Sequence, residues 1–491
     1  MTSDKKRDNF IIFSWSLPVI AILLTLIYSF SFKPWSWGLM DDLQILSLKG
    51  NVFERAWSYF QGFLSFGEFK FIWALHCAIF YKIFENAPKL FYIFKLFEIC
   101  LILFIWGLAV FRITRQKISI VLVSAITLSF HYFYDAFFYL SSHEYLGLFF
   151  VGLALHCLLN SLDPVLDFEQ TKEQGFRCLQ WFFCLLFLFL SYGCKETFVA
   201  CGIAFGLTLI ALSWMKRKTV HFKPLFFAGI VLVLFTFSYA FILMTFVKSS
   251  HTSGYSFTNF PKIWGNVQAW FKKDFLNHFP WLIATILILW KNKASGKKMF
   301  EADMRFLVGL LLSVLLYVGF LLVLLPWNPI IYFATPLGLF FAFIITLLIS
   351  QSLPPMGMRM NIFFVLCALT FNQVVFQYAL ARESTYQKDT IHLMEWIEHH
   401  EPFQTKGSDI SVFSNAMEAA FAIPGHINRK TDLDLEEFHW TTQPDLKQDG
   451  KRCQFYLYSP RFHGINVNAL KGWEVVFVSK NWILYQRPKE K

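Results

Sequence analysis

Long apolar runs separated by short polar connections set the pattern of this chain. A spanning helix needs about twenty predominantly apolar residues. The first such run, Phe10 to Phe30, follows the charged start MTSDKKRDN. It is longer than a signal-peptide core and no A-x-A-like site follows it, so it reads as a retained helix. Further runs cover roughly 91–111, 118–134, 145–162, 178–193, 197–214, 224–247, 279–290, 306–325, 330–349 and 361–380. The pattern predicts about eleven transmembrane helices.

Three segments depart from it. Residues 31–90 hold short amphipathic stretches, RAWSYFQGFL and FIWALHCAIFYKIF, rich in Trp, Tyr and Phe. Segments of that kind lie in the plane of the membrane interface. The connection 248–279 combines a Ser/Gly/Thr stretch with an aromatic-basic helix. The tail, 381–491, carries charge on nearly every turn. Thr390 to His400 predicts an amphipathic helix, and SDISVFS, QFYLYS, WEVVFVS and WILYQR predict short strands, the last two a hairpin turning at Lys480-Asn481. The chain therefore divides into a membrane domain, 1–380, with a first external loop at 31–90, and a small soluble α/β domain, 381–491. Cys453 is the tail's only cysteine, so no disulfide forms within it, and it is a natural target for thiol labelling.

Composition agrees. The 491 residues are 56% hydrophobic, 20% aromatic and 16% charged, against about a quarter charged in soluble domains. The formal net charge of +11 does not point to nucleic acid, because the basic residues form short clusters between apolar runs instead of one face of a folded module. Beyond Leu380 there are 14 Lys+Arg and 15 Asp+Glu, which leaves 30 and 18 of the totals of 44 and 33 for the membrane part. That excess is a topology signal. Arg112-Arg115-Lys117, Lys216-Arg217-Lys218, Lys291-Lys293-Lys297-Lys298 and Arg359 all fall on the side of Lys5-Lys6-Arg7, and the connections 135–144 and 326–329 contain no Lys or Arg. The positive-inside rule then puts the N-terminus in the cytoplasm and the tail outside. The nine cysteines show no CxxC or Cys/His metal spacing.

Ionisable groups at membrane depth are costly and mark functional sites unless they lie at an interface. Four places stand out, all at the external ends of helices in this topology. Asp41-Asp42, in WSWGLMDDLQIL, offers a general base or a metal ligand; a helix cap before Leu43 also accounts for it. YDAFFYLSSHEYLG holds Asp135, His143 and Glu144, where a helix capped by Ser141 or Ser142 explains Glu144 but not an acidic loop without any base. Lys195-Glu196, in LFLFLSYGCKETFVACGIAFG, sits between two apolar stretches that are short for full spans, a pattern that marks sites buried between helices. PWNPIIYFATPLG, with Tyr332 and Pro336, forms a tight turn before a helix that a proline can kink. His76, His131 and His278 share no ligand spacing and read as interfacial or packing residues.

Order and sidedness say more than any one motif. A first helix, a long external loop opening on an acidic pair, a second acidic loop before the fourth helix and a KE dipeptide at a short turn resemble the GT-C fold membrane glycosyltransferases, which include protein O-mannosyltransferases and aminoarabinose lipid A transferases. WGLMDDLQIL is similar to their first-loop acidic motif, GEFKFIWALHCAIFYKIFENAPKLFYIFKL to their amphipathic loop helices, and LSYGCKETFVACGIAF to their KE segment. Two departures stand. No arginine precedes Tyr332, which removes the usual phosphate clamp there and leaves Arg55, Lys70, Lys195 or Lys262 as substitutes. The oligosaccharyltransferase motif WWDYG is absent.

The resemblance implies an inverting transfer of a sugar from a polyprenyl-phosphate-linked donor to a hydroxyl of a lipid, glycan or protein acceptor on the external face. Asp41 or Asp42 is the expected base, and Lys195 the expected counter-charge to the departing phosphate. Asp135, His143, Glu144 and Tyr332 are expected to bind substrate, and Glu196 to orient Lys195. Asp42, Asp135 and Glu144 are the ligands of a divalent cation, if one is used. Membrane lipids complete the partners, with no nucleic acid among them. The composition fits a bacterial inner membrane with a periplasmic C-terminal domain. A lipid-linked glycan polymerase or ligase is disfavoured because its large Arg- and His-rich late loop is missing. A transporter or scaffold is disfavoured because no internal repeat is found.

Overall fold

The computed structural model describes residues 2–32, 50–65, 68–84, 87–138, 143–162, 174–215, 222–246, 335–350 and 358–404, a few positions in 261–268, and parts of 410–488. Asp41, Asp42, Lys262, Tyr332, His278 and the runs 279–290 and 306–325 lie outside the described residues, and Asp135 is described by its backbone alone.

The protein is mostly helical. The helices are α1 (Thr2–Phe32), α2 (Val52–Ser65), α3 (Phe71–Phe84), α4 (Pro88–Thr114), α5 (Ile118–Thr127), α6 (His131–Phe138), α7 (Glu144–Leu162), α8 (Gln174–Cys194), α9 (Val199–Met215), α10 (Phe222–Phe246), α11 (Thr335–Ser350), α12 (Met358–His399) and the short α13 (Glu401–Gln404). Among the described residues six helices are long and apolar enough to cross a membrane: Asp8–Tyr28, Lys89–Thr114, Glu144–Ser161, Glu196–Trp214, Lys223–Ile242 and Ile362–His399. Apolar side chains on their outer faces, such as Phe227, Leu234, Phe237 and Phe241 of α10, are exposed. In water such a surface would drive association; in lipid it is matched by its solvent.

Between the helices the packing is dense and sparingly polar. α7 lies on α8, α9 on α10, and α4 against α5, α7 and α11, while α1 pairs with α12. Trp106 of α4 donates its indole N–H to the Leu148 carbonyl of α7 at 3.0 Å, and Asn372 of α12 donates to the Ala125 carbonyl of α5 at 3.0 Å. α9 and α10 meet backbone to backbone: a Cβ on Gly229 would stand 2.7 Å from the Gly206 carbonyl oxygen. Without a hydrophobic force between helices in lipid, such close approach is what gives them adhesion.

Two runs differ from the sequence pattern. The run at 118–134 is two helices. Ser129 donates to the Ile126 carbonyl at 2.6 Å and Tyr134 to that of Leu128 at 2.7 Å, so side chains take carbonyls that the next helical turn would have used. The run at 361–380 and the amphipathic helix at Thr390–His400 are one helix, α12, and Leu380 lies within it. No glycine or proline interrupts 358–399, so nothing local stops the helix where its composition changes.

The sheet lies in the tail, as expected, with strands β1 (Val412–Ser414), β2 (His439–Trp440), β3 (Phe455–Tyr458), β4 (Glu474–Val478) and β5 (Ile483–Gln486). Its order is β2-β1-β3-β5-β4. β1 runs parallel to β2 and β3, and β5 runs antiparallel to β3 and β4. β2 is not evident in the sequence, since two residues carry no period. The amphipathic reading of 55–64 holds for α2, which buries Ala56, Tyr59, Phe60 and Phe63 and exposes Phe53 and Trp57. Cys453 is 1% exposed, so thiol labelling of the tail needs a cysteine placed at an exposed position such as Lys471.

Gly229→Val puts a branched side chain against the Gly206 carbonyl and forces α9 from α10. The expected cost is about 1–3 kcal/mol, read as a lower thermal unfolding midpoint of the purified protein in detergent. An unchanged midpoint contradicts the close packing.

Candidate functional site

At one end of the bundle α8 stops, the chain turns, and α9 begins. Cys194 closes α8, and Lys195 is extended, with φ −159° and ψ 126°. One 3-10 turn, Glu196–Phe198, then leads into α9. Phe198 packs against Gly147 so closely that a Cβ there would overlap the ring. Any side chain at 147 would hold the turn away. The contact seats Lys195 beside the first residue of α7, which is Glu144.

Glu144 is fully buried and Lys195 is 1% exposed. The ammonium of Lys195 donates to Glu144 Oε1 at 2.6 Å, and His143 Nε2 stands 3.1 Å from the same oxygen. Removing two charges from water costs several kcal/mol each, recovered only by close pairing of this kind. Glu196 adds its charge to the surroundings of Lys195. Three of the expected site residues, His143, Glu144 and Lys195, are therefore brought into contact, with Glu196 adjoining. The carboxylate that bonds Lys195 is Glu144, whereas the sequence pointed to Glu196 for that task. Asp41, Asp42 and Tyr332 lie outside the described residues, and the side chain of Asp135 is not described.

A second pair completes the charged end. Lys70, just before α3, is buried, and its ammonium lies 2.5 Å from Glu68 Oε2 and over the Phe63 ring at 4.6 Å. Burial alone would raise the Glu68 carboxyl. Lys70, with help from His143 and Lys195, outweighs that and holds it below the ordinary glutamate value. The field of Lys195 and Lys70 also reaches His143, where burial is the main force against a charged ring. Against the pull of Glu144, the imidazole is pushed down to about 3. Lys70 was one of four candidate cations in the sequence. Glu68 gave no signal, as its loop carries no recognisable period. Arg55 is half-buried and lies over the Tyr81 ring at 5.4 Å.

Chemically, the site offers two buried ammonium groups, each matched to a carboxylate, and a neutral imidazole. It suits an anion that develops charge during a reaction, because a preorganised cation in a dry site stabilises that charge without solvent reorganisation. Among the described residues no group of three or more His, Cys, Asp or Glu side chains is arranged to hold a metal ion.

No protein-family model and no curated protein matches this chain. Two solved structures are similar over nearly its whole length. One is the crystal structure of ArnT from Cupriavidus metallidurans bound to undecaprenyl phosphate, 11% identical, with a TM-score of 0.54 over 96% of this chain and 97% of that one. The other is the same protein in the apo state, 10% identical over the same shares, with a TM-score of 0.44. At 11% identity the likeness is one of fold, and the GT-C resemblance read from the sequence is borne out at that level. With its apolar helices it makes this chain an integral membrane protein.

Two outcomes follow from the electrostatics. Lys195→Met leaves Glu144 as a buried charge without its ammonium and lowers stability by about 3–5 kcal/mol, measured by thermal unfolding; Glu144→Gln with Lys195→Met recovers part of the loss. His143 has a native value near 3 against an ordinary 6.5, so in that window the unfolded chain binds the extra proton. Stability from the neutral imidazole is full above pH 6.5 and declines as pH falls towards 3. His143→Gln narrows the difference between unfolding midpoints at pH 7 and pH 4.5, and an unchanged difference refutes the assignment.

Proposed function

We propose that the protein is a membrane glycosyltransferase that moves a sugar from a polyprenyl-phosphate-linked donor to a hydroxyl acceptor. The observation that carries this reading is the buried Glu144–Lys195 pair at one end of the bundle, in a chain with the fold of a protein crystallised with undecaprenyl phosphate. Lys195 supplies positive charge where a departing phosphate needs it, and the apolar, aromatic helix faces suit a prenyl tail.

In the reaction, a carboxylate of the first loop, Asp41 or Asp42, takes the proton of the acceptor hydroxyl. The oxygen attacks the anomeric carbon as the bond from that carbon to the phosphate oxygen breaks. The electron pair leaves with the polyprenyl phosphate, which gains one negative charge, and attack from the opposite face inverts the anomeric centre. Lys195 stabilises the new charge, held in place by Glu144. Lys70 replaces the arginine missing before Tyr332 as a second cation. Asp135, His143, Glu196 and Tyr332 line the substrate, and Asp42, Asp135 and Glu144 are the ligands should a divalent cation take part.

The same reading assigns membrane sides. The charged end faces the periplasm of a bacterial inner membrane, the N-terminus lies in the cytoplasm, and the domain beyond 380 is periplasmic. The positive-inside distribution of the connecting segments supports this orientation.

Transfer from a polyprenyl-phosphate sugar to membrane acceptors, followed with a labelled sugar in vesicles, tests the mechanism. Lys195→Met should reduce turnover about 10²–10³-fold. One of Asp41→Asn and Asp42→Asn should reduce it about 10²–10⁴-fold, and full activity in both removes the base. An impermeant thiol reagent should label Lys471→Cys in intact cells after outer-membrane permeabilisation; labelling only after lysis reverses the topology.

A further inference from the structure

Against the Glu144–Lys195 pair stands a second group of polar side chains that the transfer described above does not use. His76 of α3 meets Glu98 of α4, Nε2 to Oε1, at 2.9 Å. The His76 ring stacks on Trp73, with centroids 5.1 Å apart and planes at 23°. Trp73, three residues on from Lys70, meets the ring of His143 edge-on at 6.0 Å. Phe80, 4.5 Å from His76 between ring centroids, and Phe94, stacked on Phe80, close the far side. The Glu98 charge also reaches Cys194, the chain neighbour of Lys195. The indole therefore stands between two histidines, one belonging to the charged site and one to the Glu98 pair.

Among the described residues two polar atoms here have no hydrogen-bond partner, the indole N–H of Trp73 and Nδ1 of His76. Trp73 is 2% exposed. Buried polar atoms are almost always bonded, so an orphan beside a charged site asks for a ligand. The two orphans are complementary. With Nε2 facing the Glu98 carboxylate as donor, the neutral imidazole presents Nδ1 as an acceptor, whereas an indole only donates. A phosphate oxygen would satisfy Trp73 and repel the lone pair of Nδ1. An ammonium would do the reverse. A hydroxyl group both donates and accepts, and a sugar ring carries several.

We propose that Trp73, His76 and Glu98 form a subsite that binds the hydroxyls of a sugar ring beside the Glu144–Lys195 pair. This rests on the glycosyltransferase reading and adds to it the recognition of the carbohydrate, separate from that of the phosphate. Trp73 donates to a ring hydroxyl, His76 accepts from one, and Glu98 sets the tautomer of His76.

The test uses the full-length protein in vesicles, with the lipid-linked sugar fraction of the source membranes as donor and undecaprenyl phosphate as a probe that has the phosphate and tail but no sugar. Trp73→Phe keeps an aromatic ring in the stack and removes only the N–H, while Glu98→Gln removes the charge that fixes His76. Either variant should raise a KM about tenfold, the effect of one hydrogen bond, with the Kd for undecaprenyl phosphate within about twofold of the unchanged protein. A rise in the donor KM assigns the donor sugar, and a rise in the acceptor KM assigns an acceptor glycan. Unchanged KM values in both variants, or an equal loss of undecaprenyl phosphate binding, overturns the subsite. If Trp73→Phe does not fold, Glu98→Gln decides. If the unchanged protein neither binds undecaprenyl phosphate nor transfers sugar, the glycosyltransferase reading falls and this assignment falls with it.

Discussion

A carboxylate and an ammonium, both withdrawn from water, face each other at 2.6 Å at one end of an apolar bundle. Neither Glu144 nor Lys195 is tolerable there alone, so the structure around them must deliver both to one point. Much of the local architecture answers to that demand. α8 ends one residue before Lys195, the 3-10 turn changes the chain direction, and Phe198 rests on Gly147 to fix the distance. His143 is held neutral beside them, and a second lysine, Lys70, carries its own carboxylate. The end of the bundle thus holds its positive charge in a compensated form, with a carboxylate beside each of the two buried ammonium groups.

The same end of the bundle is tied to the sheet through one stretch of α12. Asp389 accepts from the backbone and side-chain amides of Asn481 at 3.0 and 2.7 Å, and Thr390 accepts from the Trp482 indole at 3.1 Å. These bonds seat the β4–β5 hairpin. On the other side Gln387 donates to the Tyr92 hydroxyl, which donates to the Phe138 carbonyl at the end of α6, each at 3.0 Å. A single helix therefore braces both the sheet and the end of α6. Both attachments lie within one turn of α12, Gln387 to Thr390, so the sheet and the bundle grip the same short stretch of helix.

Local patterns carried the sequence reading far. Among the described residues, apolar length placed the six long apolar helices and alternation placed four of five strands, and the cost of charge in an apolar run singled out Glu144 and Lys195. No local pattern shows that Glu68 pairs with Lys70, because their two-residue spacing in an irregular loop has no periodic signature. The pairing of His76 is hidden for a related reason. The partner of His76, Glu98, is twenty-two residues away on another helix, and a lone histidine on an apolar helix looks like packing.

The sequence by itself determined that this chain lies in a membrane, that short strands follow the helices, and that a few charges break the apolar pattern. Those are consequences of composition and of periods of two and 3.6 residues, which each segment carries on its own. Only the tertiary structure decided which of those charges meet. Glu144 and Lys195 are 51 residues apart, and their contact depends on how α7, α8 and α9 pack and on the missing side chain at Gly147. Packing is a property of several segments at once, and no single stretch of sequence contains it.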